Sequence, residues 1–283
     1  MKKLFILPIL LFILIFTTGC GNIENEKQEN QLNIVTSFYP IYIATLNITE
    51  GVDVNLSNLT NNHTGCLHEY TLTTSDLVKI ETADIFVING LGVETFTDKI
   101  VNTYSNIQVI NSSDGIDIEH EEAGHNHKHD HAHDHENGHI WLDIEMYKQQ
   151  IQNICNQLSE INPENSEKYI ENANAYILKL NDLDTLMKSE LDDINNKGAI
   201  CLNEAFELFG ESLNLKFNII ETGHNEESSL SGAQIADILD TMQKDNINAI
   251  FIENMDSDIA ANTIVQQNNA KMFRLDAHFA RRK

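Results

Sequence analysis

Basic residues are scarce in this chain. Its 18 lysines and arginines stand against 43 aspartates and glutamates, which gives a formal net charge of −25. A surface of that sign repels nucleic acid and anionic lipid headgroups, and it attracts cations. We therefore expect no nucleic-acid partner, and cations are the ligands that the charge favours.

Cysteines are also few. The four, Cys20, Cys66, Cys155 and Cys201, are widely spaced and do not form the pattern of a disulfide framework. Cys155 and Cys201 lie among apolar residues, so we expect both to be buried. The HExxH and Gly-x-Ser-x-Gly signatures and the phosphate-binding loop are absent as well, and we do not expect an enzyme.

The N-terminus has the pattern of an export signal. A short positive end precedes an apolar run from Leu4 to Phe16 and then Thr17-Thr18-Gly19-Cys20. The run is too short to span a membrane and small residues close it, which predicts a signal peptide over 1–19. Cys20 after Gly19 resembles a bacterial lipobox, which implies a lipid on its thiol; an ordinary signal with a chance cysteine is the alternative. Residues 20–31 are polar and predict a flexible tether.

Beyond the tether, short apolar strands alternate with helices, which predicts an α/β fold with mainly parallel sheets. We assign residues 32–162 to an N-terminal lobe and 197–283 to a C-terminal lobe. Between them, residues 163–196 carry apolar side chains at steps of three and four and predict one long rigid helix that joins the lobes. Ligands of such sheets bind at the carboxyl ends of strands, here in the cleft between lobes.

Local signals place several elements. Thr73 and Asp76 have the spacing of a capping box at a helix start. The predicted strands are Leu32–Ser37, Val52–Leu59, Asp84–Asn89, Ile107–Ile110, Ala199–Leu202, Phe217–Ile220, Ala249–Glu253 and Met272–Leu275.

The most conspicuous segment is a histidine-rich loop over residues 119–139. Imidazole is the commonest protein ligand for zinc, copper and nickel. Alternating histidines in a flexible loop cannot build one rigid tetrahedral site, but they can hold several ions weakly; a solvated segment without a role is the alternative. The candidate accessory ligands are His120, His125, His127, His129, His131, His133 and His135.

A tight site needs fewer ligands on more rigid elements. His68 lies in Gly65-Cys66-Leu67-His68-Glu69-Tyr70, and His139 lies in His139-Ile140-Trp141-Leu142-Asp143. Trp141, the only tryptophan, can fix the second loop, and Asp143 can cap the following helix or orient a ligand. Either histidine taken alone is more often structural than ligating.

With these motifs, the chain resembles the solute-binding proteins of ABC importers for zinc and manganese, the zinc branch in particular. The resemblance extends from residue 33 to about 276. It rests on Val35-Thr36-Ser37-Phe38-Tyr39-Pro40, the His68-Glu69-Tyr70 loop, the stretch from Ala83 to Gly90, and the histidine-rich loop ending on His139-x-Trp141-Leu142-Asp143. It implies two α/β lobes joined by a rigid helix, with the metal in the cleft.

The resemblance also implies ligands. His68 and His139 would come from the N-terminal lobe, and Asp276 would come from the C-terminal lobe, with His278 as a substitute. The fourth position falls on Asn203, where the zinc branch has histidine; the adjacent Glu204 or water could complete the shell instead. Cys66 could donate a thiolate, although an idle or structural role is the commoner one.

The implied function is capture of a transition metal, Zn²⁺ before Mn²⁺, for an ABC permease and its ATPase. The chain would act as a lipid-anchored monomer on the extracytoplasmic face of a bacterial cell membrane. Two alternatives are open: a surface lipoprotein that buffers metal or acts as an adhesin without transport, and a zinc hydrolase. After Asp276 the family continues into a closing helix, so we expect a C-terminal lobe that lacks it.

Overall fold

The computed structural model describes residues 31–60, 67–118, 137–220, 230–254 and 258–277. Residues 32–283 form one compact unit. The predicted signal peptide, Cys20 and nearly all of the tether lie outside the described residues. In the described part of the chain, no helix combines the length and the apolar character that crossing a membrane requires.

The N-terminal lobe is built on a parallel four-stranded sheet in the order β2-β1-β3-β4. Its strands lie within two residues of the predicted bounds, because apolar runs between polar or glycine residues define them. They are β1 (Leu32–Thr36), β2 (Val54–Asn58), β3 (Ile85–Ile88) and β4 (Gln108–Asn111).

Helices cover both faces of this sheet, so the inner strand β3 is buried throughout. Ile85 and Val87 of β3 face one cluster of apolar side chains, and Phe86 and Ile88 face another, as strand alternation requires. The first of these helices are α1 (Tyr39–Ile48), α2 (Thr74–Glu81), α3 (Thr97–Thr103) and α4 (Ile144–Ile161). The capping box at the start of α2 is confirmed.

One long helix, α5 (Ser166–Leu191), follows a 3-10 turn at Pro163–Asn165 and leads to the second lobe. It is shorter at both ends than the predicted 163–196. Its buried residues belong to the core of the N-terminal lobe. The predicted apolar stripe is not buried throughout, since Leu183 and Ile194 are each 43% exposed.

The helix ends where the chain begins to bind the second lobe. The Asn196 side chain donates to the Asn246 carbonyl oxygen at 2.6 Å and accepts from the Gly198 amide at 3.0 Å. These bonds need a backbone that has left the helical path, which explains why α5 stops before residue 196.

The C-terminal lobe repeats the same strand order, here β6-β5-β7-β8, and all its pairings are parallel. The predicted α/β fold with two parallel-sheet lobes and a long joining helix is therefore confirmed. The elements are β5 (Gly198–Cys201), α6 (Glu207–Ser212), β6 (Lys216–Ile219), α7 (Gly232–Lys244), β7 (Ala249–Glu253), α8 (Ile259–Asn268) and β8 (Lys271–Leu275).

The two faces of this second sheet are covered unequally in the described residues. Helices α7 and α8 pack on one face. On the other, Phe217, Phe251 and Phe273 form a row with ring centres 5.2 and 5.3 Å apart, and Phe273 is 45% exposed. Cys155 and Cys201 are buried, as predicted, and their sulfurs are thiols.

A 3-10 turn at Ile140–Leu142 lies between the lobes and contacts both. Ile140 packs with Leu208 of α6 in a cluster that also contains Ile116 and Ile118. Leu142 packs against a C-terminal cluster formed by Cys201, Phe206 and Ala277, among others. We call residues 139–143 the interlobe segment, because they join the two cores.

Replacing Leu208 by alanine should destabilise the fold. Leu208 is 2% exposed, and loss of a buried leucine side chain costs about 2–5 kcal/mol. Urea unfolding measures this free energy. The matched control is Leu178→Ala on α5, where the leucine is 63% exposed and the change should stay within about 0.5 kcal/mol. Equal effects of the two substitutions would contradict the proposed packing of Leu208 between the lobes.

Candidate metal centre

His68 is held by its backbone, while its side chain is exposed. It lies in a 3-10 turn, Leu67–Glu69. Leu67 is fully buried in the N-terminal core and anchors the turn. The Thr95 hydroxyl donates to the His68 carbonyl oxygen at 3.2 Å. The turn therefore presents the imidazole from a fixed backbone position.

His139 opens the interlobe segment and is only 5% exposed. Its ring centre lies 5.2 Å from that of Trp141. Trp141 in turn packs edge-on against Phe38 at 4.8 Å, and its indole N–H donates to the Ala277 carbonyl oxygen at 3.0 Å. The predicted role of Trp141 in fixing this loop is therefore supported by contacts on both sides of the lobe interface.

The backbone before His139 is hydrogen-bonded to the residue that follows β3. The Asn89 side chain donates to the Gly138 carbonyl oxygen at 3.0 Å. A Cβ at position 138 would lie 2.6 Å from a Val93 methyl carbon and 2.9 Å from the Leu91 carbonyl oxygen. Only glycine permits this approach, so Gly138 determines how closely the loop lies against the lobe.

A buried carboxylate holds the end of β3 in turn. Glu94 accepts from the Asn89 amide at 2.7 Å and from the Gly90 amide at 3.1 Å. Burial raises the pKa of the Glu94 carboxyl, against the opposing effect of these hydrogen bonds. The Asn89 side-chain oxygen accepts from Gln150 of α4 at 2.9 Å. The network extends the support of His139 into the lobe core.

The structure brings His68 and His139 together. Their ring centres lie 5.7 Å apart, with the planes tilted by 54°. An imidazole nitrogen binds zinc at about 2.0–2.1 Å, so two imidazoles on one tetrahedral ion have centres roughly 5–6 Å apart. The pair is thus spaced to share one ion.

Asn203 follows β5, at the carboxyl edge of the second sheet, and is 8% exposed. Its side-chain oxygen accepts from the Ala205 amide at 2.9 Å and so caps the 3-10 turn at Glu204–Phe206. The adjacent Glu204 contributes its backbone carbonyl oxygen to a bond with Asn137.

Asp276 follows β8 directly, and its carboxylate accepts from the Asn254 side chain at 3.2 Å. Its neighbour Ala277 binds Trp141, so Asp276 lies near the interlobe segment in the fold. Among the described residues, however, no three His, Cys, Asp or Glu side chains gather closely enough to hold one ion. The structure therefore does not place Asp276 or Glu204 close enough to the two histidines to form one metal site with them. Their part in the site stays a prediction.

The remaining candidates lie outside the described residues. They are Cys66, His278 and the accessory ligands His120, His125, His127, His129, His131, His133 and His135. The histidine-rich loop is described only at its last residues, 137–139. Asp143 caps α4 by accepting from the Met146 amide at 2.9 Å, which confirms the first of its two predicted roles.

Comparison with known proteins identifies this architecture. The family model of the zinc-uptake complex component A, periplasmic (ZnuA), matches residues 34–280. This chain belongs to the ZnuA family.

Several relatives of this ZnuA-family chain carry metal-related names. The zinc-binding lipoprotein AdcA of Streptococcus pneumoniae is 28% identical over 96% of the chain and 54% of AdcA. The high-affinity zinc uptake system protein ZnuA of Bacillus subtilis is 28% identical over 91% of the chain and 83% of that protein. The manganese-binding lipoprotein MntA of Halalkalibacterium halodurans is 28% identical over 89% of the chain and 82% of MntA. The chain thus spans about half the length of AdcA.

A solved structure agrees with the fold. The crystal structure of the Zn(II)-bound ZnuA-like domain of Streptococcus pneumoniae AdcA superposes with a TM-score of 0.73 at 26% identity, and 90% of each chain is covered. The match therefore includes both lobes of the ZnuA-family chain and the joining helix.

Replacing either histidine of the pair should abolish tight metal binding. His68→Ala and His139→Ala each remove one nitrogen ligand. The expected loss exceeds the roughly 10–100-fold in affinity that loss of an outer-shell partner costs. Competition titration with a chromophoric zinc chelator measures the dissociation constant, and an unfolding curve for each variant checks the fold. Tight binding in both variants would place the site elsewhere.

Replacing Asn203 by histidine should tighten zinc binding by about tenfold or more, or ~1.4 kcal/mol, if residue 203 faces the ion. The reason is that imidazole is a better zinc ligand than a neutral amide oxygen. Asn203→Ala is the control, because it also removes the capping oxygen. If the two variants bind zinc equally, residue 203 does not reach the metal.

Proposed function

We propose that this chain captures a transition metal ion, zinc before manganese, outside the cytoplasm and delivers it to an ABC importer. The observation that carries the proposal is the pair of imidazoles, 5.7 Å apart, where the two lobes of a ZnuA-family chain meet. The metal is the cargo of this protein, bound and released unchanged, so no catalytic group is needed.

The ligand chemistry favours zinc. Imidazole nitrogen suits zinc, whereas manganese prefers carboxylate, carbonyl and water oxygens. His68 and His139 supply two nitrogens; Asp276 and either Asn203, Glu204 or water would complete a four-coordinate shell. The manganese-binding name of one relative makes the choice of metal a question for measurement.

The two-lobe architecture suits capture and release. His68 and His139 belong to one lobe, and Asn203 and Asp276 follow strands of the other. A shell drawn from both lobes is complete only while they are in contact. The long helix α5, packed along most of one lobe, would limit how far the second lobe can move.

The surroundings of the site favour cations. The chain carries a net charge of −25, which raises the local concentration of cations near its surface. The histidine-rich loop would hold several ions weakly and pass them to the cleft. A lipid on Cys20 would keep the protein beside a permease and its ATPase, and a monomer suffices for this role.

A zinc titration of the chain without residues 1–20 tests the proposal. We expect one tight site and several weak ones. Deleting residues 120–135 should remove the weak sites and leave the tight one, because it spares Asn137 and His139. Manganese in parallel should bind less tightly. Loss of the tight site on this deletion, or tighter manganese binding, would count against the cleft site for zinc.

A further inference from the structure

Asn137 immediately precedes Gly138 and His139. The orientation of its side-chain amide is determined by four hydrogen bonds. Its Nδ2 donates to the Glu204 carbonyl oxygen at 3.0 Å and to Glu207 Oε2 at 3.1 Å. Both partners can only accept, so the NH₂ group must face them. Its Oδ1 therefore faces His139, where it accepts from the backbone amide at 3.1 Å.

This orientation selects the tautomer of His139. His139 Nδ1 lies 2.7 Å from Asn137 Oδ1. An amide oxygen cannot donate, so Nδ1 must carry the proton, and in the neutral imidazole Nε2 then carries the lone pair. Outer-shell partners of this kind orient a metal-binding imidazole and make it more basic. Asn137 thus presents the neutral imidazole in one defined form.

The same amide joins the two lobes. Asn137 belongs to the N-terminal side of the chain, whereas Glu204 and Glu207 follow β5 in the C-terminal lobe. Glu204 lies in the short turn that Asn203 caps, and Glu207 is the first residue of α6. One side chain therefore connects a histidine of the pair with the turn that carries the fourth candidate ligand.

We propose that Asn137 is a positioning residue that couples the orientation of His139 to the contact between the lobes. The proposal rests on the proposed function, since His139 is taken as a zinc ligand. When the lobes separate, the amide loses two of its four partners, and its hold on the imidazole weakens. Zinc affinity then depends on lobe contact, and by linkage zinc binding strengthens that contact to the same extent.

The first test is the tautomer of His139 in the metal-free protein. Long-range ¹H–¹⁵N NMR at a pH where imidazole is neutral distinguishes Nδ1–H from Nε2–H, and His139→Gln assigns the signals. We expect Nδ1–H in the unaltered protein, a mixture in Asn137→Ala, and recovery of Nδ1–H in Asn137→Asp, whose carboxylate still accepts. An unchanged tautomer in Asn137→Ala would overturn the positioning role.

The second test is zinc affinity, measured in protein without residues 120–135. Asn137→Ala should weaken binding by about 10–100-fold. The matched control is Asn153→Ala, because the Asn153 amide also donates to two acceptors, the carbonyl oxygens of Ser112 and Asp114, but within one lobe. This control should bind zinc as tightly as the unaltered protein, and equal weakening in both variants would overturn the proposal.

The coupling itself is tested through Glu207, whose Oε2 accepts from Asn137 Nδ2 at 3.1 Å. Glu207→Ala should weaken zinc binding severalfold, and Glu207→Gln, which keeps an acceptor oxygen, should restore it. In the double variant Asn137→Ala/Glu207→Ala, binding should be no weaker than in Asn137→Ala alone. Unchanged affinity in Glu207→Ala, or additive losses in the double variant, would overturn the link to the lobe contact.

The two proposals fail separately. If the unaltered protein binds no zinc tightly, the proposed function fails, while the NMR test of Asn137 on His139 still gives its answer. If zinc binds tightly and His139→Ala abolishes binding, but Asn137→Ala changes neither the tautomer nor the affinity, only the role of Asn137 fails.

Discussion

The interlobe segment, residues 139–143, contacts two hydrophobic cores at once. The rest of the structure depends on this double contact. Ile140 packs with Leu208 of the second lobe, and Leu142 packs against the cluster that contains Cys201. The indole of Trp141 adds a hydrogen bond to Ala277 across the same interface. Among the described candidate ligands, His139 belongs to this segment and His68 lies beside it, while Asn203 and Asp276 follow strands of the second lobe.

Support for the histidine pair comes from polar groups, of which Glu94 and Asn89 are buried and Asn137 is half-buried. Glu94 holds the end of β3, Asn89 holds Gly138, and Asn137 holds the imidazole. A buried polar group left without a partner costs about 1–3 kcal/mol, so each such bond disfavours alternative loop positions. A metal site gains from this, because ligands already in place lose little conformational freedom when the ion binds. The His68 side chain is exposed, so an ion bound there would have a route to solvent.

Much of this fold could be predicted from the sequence, for local reasons. Short apolar runs define the strands, Thr73 and Asp76 cap a helix, and His68 and His139 stand in motifs that resemble a known family. The end of α5 could not be predicted, because Leu191 and Ile194 continue the apolar spacing while the chain leaves the helix and binds the second lobe through Asn196. Asn137 and Asn89 were missed because their partners are distant in sequence, and an asparagine in a polar loop gives no signal of its own. The spacing Asn137-Gly138-His139 becomes informative only once the loop is seen against α6.

The most direct measurement of the central claim is anomalous diffraction at the zinc edge from crystals of the zinc-loaded protein without residues 120–135. We expect one strong peak between the lobes, about 2.0–2.1 Å from the Nε2 atoms of both His68 and His139. The His139 Nδ1 atom should still face Asn137. A strong peak away from either histidine, or one bound through His139 Nδ1, would contradict the account.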